Sequence, residues 1–470
     1  MNNPIGEHAA EIGALVARAR KAQAGIEHYS QEQVDALTTA IAWSVVRQDR
    51  AETLARLAVD EGGFGNYPDK VLKIRNRIMG TLADMADVRT VGVVEESPDK
   101  GLIKIAKPVG VVAALIPTTG PDATPPLKAL LALKGRNAII VAAHPRTQKT
   151  SALVVDFMRA ACEQVGAPAD LIQLIEKPSL AKTQELMRQV DLIVATGGEA
   201  MVKAAYSSGT PAYGVGVGNS VHVVDETADL QDAARCIAVA KTFDYATSCL
   251  ADNAVVAAAA VYDALKNLLM EQGGHVCNPE EKRRLQTVMW PKPGVPIPAL
   301  EVIARSAGEI AALAGIPVSE ACRFLVVEES GTGPEHPFSG EKLSVVLALY
   351  RYEGGIGQAV EQVNRITDYQ GHGHTCGIHT CNDDHVMALA MGTRTARVMV
   401  NQNLNEGAGS PRNSLPYTLS LSCGTWGGNI TTENVNARHF VNLTWVSRPV
   451  KPRVINEEAL FREHWQKHGQ

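Results

Sequence analysis

Residues 107–145 read KPVGVVAALIPTTGPDATPPLKALLALKGRNAIIVAAHP, and the order of apolar runs within them decides the fold class. GVVAALIP (110–117) is a short, unbroken apolar run, the pattern of a strand covered on both faces. ATPPLKALLALK (123–134) places proline at a helix start and strong helix formers behind it. NAIIVAAHP (137–145) then repeats the strand pattern. The alternation continues through the helical run KTSALVVDFMRAACEQVG (149–166), ended by Gly166 with Pro168 shortly after, and through LIQLIE (171–176) and DLIVATGG (191–198). Strand–helix–strand in this order predicts an α/β fold: a parallel sheet with helices on both faces, which holds a nucleotide at its carboxyl edge.

Upstream, helical periodicity dominates the first eighty or so residues, and SQEQVDALTTAIAWSVV (30–46) opens with Ser30 and Gln33 at capping-box spacing. Two β-rich runs then flank ESPDKG (96–101), which predicts a protruding hairpin. Downstream, a second mixed α/β region is expected over 226–430, followed by HFVNLTWVSRPV (439–450), whose alternation predicts a strand needing a pairing partner, a neighbouring subunit included. The expected division is therefore 1–86 with 107–225 as a Rossmann-type cofactor domain, 226–430 as a catalytic domain, and 87–106 with 431–470 as an oligomerisation hairpin and terminal strand.

The chain has 470 residues, 45% of them hydrophobic and 20% charged, as in ordinary soluble multi-domain proteins. Its formal charge of −5 and lack of long basic runs argue against nucleic acid or anionic membrane as partners. The start has charges among its apolar residues and does not read as a secretory signal, and the run around Val255–Val261 is far short of the roughly 20 residues that span a bilayer. Eight irregularly spaced cysteines suit reduced thiols in the cytoplasm.

Three stretches carry candidate chemistry. Cys249, in KTFDYATSCLADN (241–253), lies at the boundary between the two halves, where a cleft is expected. Thr196, Gly197 and Gly198 sit between a strand and a helix, where backbone N–H groups can face a phosphate or ribose, and Gly214, Gly216 and Gly218 allow close approach of the backbone. GHGHTCGIHTCNDDH (371–385) gathers four histidines and two cysteines, which raises a zinc site. Strand alternation opposes that reading: His372, His374 and Cys376 would share one face, while His379 and Cys381 take the other, so no metal is expected.

Taken in order, several long motifs resemble the aldehyde dehydrogenase superfamily and, within it, the CoA-acylating branch. They are KPVGVVAALIPTTGP (107–121), VATGGEAMVKAAYSSGTPAYGVGVGN (194–219), KTFDYATSC (241–249), PFSGEKLSVVLALY (337–350), GHTCGIH (373–379) and LSCGTWGGNITTENV (421–435). The resemblance implies that Cys249 is the nucleophile, attacking an aldehyde and becoming a thioester after hydride transfer. It implies an oxyanion hole from the cysteine N–H and the side chain at Thr119, where hydrolytic members carry Asn. The Glu that activates water in hydrolytic members falls on Gly214, so the thioester should await a CoA thiol. Glu341 matches the residue that contacts the nicotinamide ribose. His374 belongs to the GHT motif without an assigned role.

At the end of the second strand, AAHPRTQK (142–149) offers His144, Arg146 and Lys149 and no acid, so NADP is expected as readily as NAD. In NEGAGSPRNSLPY (405–417), Arg412 is expected to pair with an anionic substrate tail. The resemblance favours a small anionic aldehyde, sulfoacetaldehyde first, with succinate semialdehyde, acetaldehyde and a hydrolytic reaction as alternatives. It also implies a homodimer or homotetramer.

Overall fold

The computed structural model describes residues 8–292 and 294–470. The predicted hairpin is present as β1 (Gly92–Ser97) and β2 (Leu102–Pro108), joined by a short 3-10 turn at Pro98–Lys100 and by Gly101 at φ 61°. It projects as an exposed ribbon.

β3 (Val111–Leu115), β4 (Ala138–Ala142), β5 (Ile172–Leu174), β6 (Leu192–Thr196) and β7 (Ala212–Val215) form a parallel sheet in the order β5-β4-β3-β6-β7. β3 and β4 are buried at every position, as their unbroken apolar runs require. The strand order reverses direction beside β3, which opens a crevice beyond the carboxyl ends of β3 and β6. Lys128, on the helix Thr124–Lys134, spans that point from below: its Nζ donates to the carbonyls of Leu115 (2.7 Å) and Val194 (2.9 Å). Ser30 caps the helix Gln31–Val46 with the full capping box that its spacing predicts.

β8 (Val221–Val224), β9 (Ala254–Ala258), β10 (Gly274–Val276), β11 (Phe324–Glu328), β12 (Val346–Tyr352), β13 (Gly373–His379) and β14 (Thr395–Val400) make a second parallel sheet, ordered β10-β11-β12-β9-β8-β13-β14. Each sheet has its own apolar core. β8 was expected with the cofactor half, whose boundary was read at 225. It pairs instead with β9 and β13, so the chain crosses between sheets at Gly216–Ser220. The sequence pattern of a buried parallel strand is the same in either sheet, which is why alternation alone misplaces it. β15 (Val441–Ser447) finds its partner within the chain, antiparallel to β2, and completes a three-stranded sheet.

Among the described residues, no helix is long and apolar enough to cross a membrane.

Candidate active site

A cavity of about 570 Å³ lies between the two large sheets, floored by Cys249 and walled by Thr119, Gly197, Gly218 and Glu341 among others. Local backbone geometry sets the floor. Asp244, Tyr245 and Ala246 have φ of 49°, 50° and 61°, a left-handed run that costs roughly 1–2 kcal/mol per residue. A buried ion cluster holds it. The Asp244 carboxylate accepts from Lys73 Nζ (2.6 Å), Lys70 Nζ (3.2 Å), Thr247 Oγ1 (2.8 Å) and the Asn66 N–H (3.0 Å). Burial pulls the Lys73 ammonium down, but Asp122 and Asp244 outweigh it and the net shift is upward.

Beyond this run Cys249 is half-buried at the cavity, its Sγ 3.2 Å from His374 Nε2 and its carbonyl accepting from Ser220 Oγ at 3.1 Å. Burial pushes the thiol up to about 12, with Glu341 and Cys423 adding to the shift. Burial and then the Arg397 cation hold His374 down at about 3, so the ring is neutral at any ordinary pH. Arg397 is itself buried and donates to the carbonyls of Ser422 (2.8 Å) and Thr432 (3.1 Å) and to Thr375 Oγ1 (3.1 Å). Gly218 passes so close that a Cβ there would lie 2.5 Å from the Cys249 Cβ. Its N–H donates to Glu341 Oε1 at 3.2 Å. Burial pushes Glu341 up to about 8, against the Gly218 N–H and the Lys342 and Lys241 ammoniums.

Thr196, Gly197 and Gly198 line the same cavity above β6, and a Cβ on Gly198 would meet nothing within 4 Å. Their glycines are therefore not demanded by protein packing, and the cradle is open to a ligand. Gly214 is different. A Cβ there would come within 2.6 Å of Val202 and 2.7 Å of Tyr206, whose hydroxyl accepts the Gly214 N–H at 2.8 Å. A side chain at that position would force the Val202 and Tyr206 side chains to shift.

Two of the expected site residues are not brought to the cavity. Arg412 follows a turn closed by its N–H to Ser410 Oγ (3.1 Å), and its side chain, 54% exposed, pairs with Glu406 at 3.6 Å. Arg146 is exposed and stacks over Phe64 at 5.1 Å, whereas His144 lines the cavity. An acid that the local sequence lacks arrives from elsewhere: Glu61, on the helix Gln48–Gly62, accepts from the N–H groups of Lys149 (2.7 Å) and Thr150 (2.8 Å). Nothing in 142–149 signals it.

The donors of 371–385 go to separate partners. His374 meets Cys249, His379 stacks on His222 at 4.6 Å, Cys376 Sγ lies 3.3 Å from Thr395 Oγ1, and His385 Nδ1 pairs with Asp225 at 2.7 Å. Elsewhere among the described residues, His275, Cys277 and Glu281 bring three ligand atoms within 4.8 Å of one another. The Glu281 carboxylate already accepts from the Asn278 N–H (2.9 Å) and lies 3.2 Å from the His275 ring, in the capping box of the helix Pro279–Met289.

Residues 5–282 match the model of the aldehyde dehydrogenase family. The chain is 44% identical to a sulfoacetaldehyde dehydrogenase of Acholeplasma sp, over 96% of this chain and 93% of that protein. It is 42% identical to the acylating sulfoacetaldehyde dehydrogenase of Bilophila wadsworthia, over 96% and 98%. Among solved structures, an acetylating aldehyde dehydrogenase from Geobacillus thermoglucosidasius superposes with a TM-score of 0.91 at 34% identity, covering 97% of this chain and 100% of the other. A propionaldehyde dehydrogenase from Rhodopseudomonas palustris, with bound CoA and an acylated cysteine, gives 0.84 at 27% identity, covering 93% and 97%.

Proposed function

The chain belongs to the aldehyde dehydrogenase family, and from that premise we propose that it oxidises sulfoacetaldehyde to sulfoacetyl-CoA with NAD(P)+ and CoA, through a thioester on Cys249. The observation that carries this reading is the 3.2 Å contact between Cys249 Sγ and a neutral His374 at the cavity floor.

Cys249 attacks the aldehyde carbon as its proton passes to His374 Nε2, the ring nitrogen 3.2 Å from the sulfur. The oxyanion that develops is met by the Cys249 N–H and the Thr119 hydroxyl. When bound in this cavity, NAD(P)+ would supply the hydride acceptor for the oxidation. His144, Thr196, Gly197, Gly198 and Glu341 are the residues that would hold it. After its first proton is lost to solvent, His374 takes the proton of the incoming CoA thiol. The CoA sulfur adds to the thioester carbon, the Cys249 thiolate leaves, and it recovers a proton from His374. Gly214 supplies no carboxylate to act as a second, dedicated base for water, which leaves the thioester to the more nucleophilic CoA thiol.

The exposed three-stranded sheet, with Val93, Leu443 and Trp445 outward, supports assembly into a homodimer or homotetramer. The eight unpaired cysteines support a cytoplasmic setting. The test is a CoA-dependent assay of NAD+ and NADP+ reduction with sulfoacetaldehyde, succinate semialdehyde and acetaldehyde. Acyl-CoA should form in step with reduced cofactor; rapid release of free acid without CoA would sink the proposal.

A further inference from the structure

The cavity wall is built partly by the helix Tyr67–Met85, which presents Lys73 and Arg77 to it, one turn apart. Their charges are not equivalent. Lys73 and Lys70 are matched by Asp244 and Asp122, so that cluster is close to neutral. Among the described residues, Arg77 has no carboxylate within salt-bridge distance. Its Nη1 donates to the carbonyls of Ala408 (3.0 Å) and Gly409 (2.7 Å), and its Nη2 to that of Asn405 (2.8 Å). Glu406, the acid whose field reaches Arg77, is paired with Arg412 on the exposed side.

A guanidinium has five N–H donors in a planar fork, and carbonyls use three of Arg77's. The Nε–H and one Nη2–H remain, in a wall that also carries Phe243, Leu250 and Leu419. Carbonyls satisfy donors without cancelling charge. Arg77 therefore brings to the cavity a positive charge that no described carboxylate pairs, with a pair of free donors, beside the apolar Phe243, Leu250 and Leu419. That combination suits a ligand with an apolar or carbonyl body and a sulfonate or carboxylate end.

We infer that Arg77 is the residue that binds the anionic end of the aldehyde, the role that sequence reading expected of Arg412. This rests on the reading of the cavity as the site where an aldehyde meets Cys249. Arg77 also clasps the 405–409 segment, so a loss of activity alone would not separate the two roles.

Two measurements do. First, ethanesulfonate, a sulfonate without the reacting carbonyl, is titrated calorimetrically into the full-length wild type, Arg77→Gln, Arg77→Lys and Arg412→Gln. Wild type and Arg412→Gln should bind alike, Arg77→Gln should bind about tenfold to a hundredfold more weakly, and Arg77→Lys should fall between. Equal binding by wild type and Arg77→Gln, or none by wild type, overturns the inference. Second, KM and kcat are measured with CoA for sulfoacetaldehyde and for propionaldehyde. Arg77→Gln should raise the KM for sulfoacetaldehyde by a similar factor and leave that for propionaldehyde within about twofold. Equal losses on both aldehydes would assign Arg77 to the clasp and refute the inference. Arg77-dependent sulfonate binding without CoA-dependent turnover would leave the anion site standing and bring down the proposed reaction.

Discussion

Replacing Gly218 by alanine tests whether Cys249 is held in place by backbone packing. The φ of Gly218 lies outside the left-handed region, so alanine brings no backbone penalty and the effect is steric alone. The added Cβ would start 2.5 Å from the Cys249 Cβ and 2.4 Å from the Cys249 carbonyl oxygen. Carbon–carbon contacts settle at about 3.5–4.0 Å, so one of the two segments must give by roughly 1 Å. Overpacking of that size costs about 1–3 kcal/mol, which a chain of this length tolerates without unfolding. A displacement of about 1 Å at a reacting atom costs on the order of a hundredfold in rate. The assay is kcat for CoA-dependent acyl-CoA formation, alongside cofactor binding and circular dichroism. Gly218→Ala should lose roughly two orders of magnitude in kcat while keeping its fold. A variant that is folded and as fast as wild type would refute the packing argument.

Cys249→Ser should abolish cofactor reduction and leave no acyl adduct in mass spectrometry of aldehyde-treated protein, whereas Cys423→Ser should retain both. Loss in the Cys423 variant with retention in the Cys249 variant would reverse the assignment. His374→Asn should slow acylation by about 10²–10⁴-fold. Its residual rate should climb as pH rises, because the thiolate of a thiol held at about 12 becomes more abundant with pH and no imidazole remains to accept its proton. A pH-independent residual rate would remove His374 from the base role. Glu61→Gln should move cofactor preference toward NADP by roughly tenfold, since it removes a negative charge beside the residues that would face a 2′-phosphate; an unchanged ratio would place Glu61 away from that end of the cofactor.

The parts legible in the sequence are those carried by short-range patterns. The runs at 110–117 and 137–145 are strands because apolar residues without a break cannot be half-exposed, and Ser30 with Gln33 marks a helix start within four residues. Cys249, Thr119 and Glu341 lie in motifs that keep their order, and the fold gathers them on one cavity. The misreadings are questions of long-range contact. Arg412 sits in a loop facing the right region, but a turn at Ser410 directs it outward, while Arg77, more than 300 residues away, points inward from a helix face that reads as ordinary amphipathic surface. Glu61 reaches the start of the helix at Gln148 from an element that no local pattern links to it. His374 is visible as part of a motif, yet its partner Cys249 lies 125 residues earlier, and the pairings of β13 with β8 and of β8 with β9, the strand after Cys249, bring them together.

The five residues from Gly216 to Ser220 carry the chain from one sheet to the other, and Cys249 rests against their middle. Connectors between domains are usually slack and accept inserted sequence. This one is a bearing surface. A residue added within it would push on the reacting sulfur.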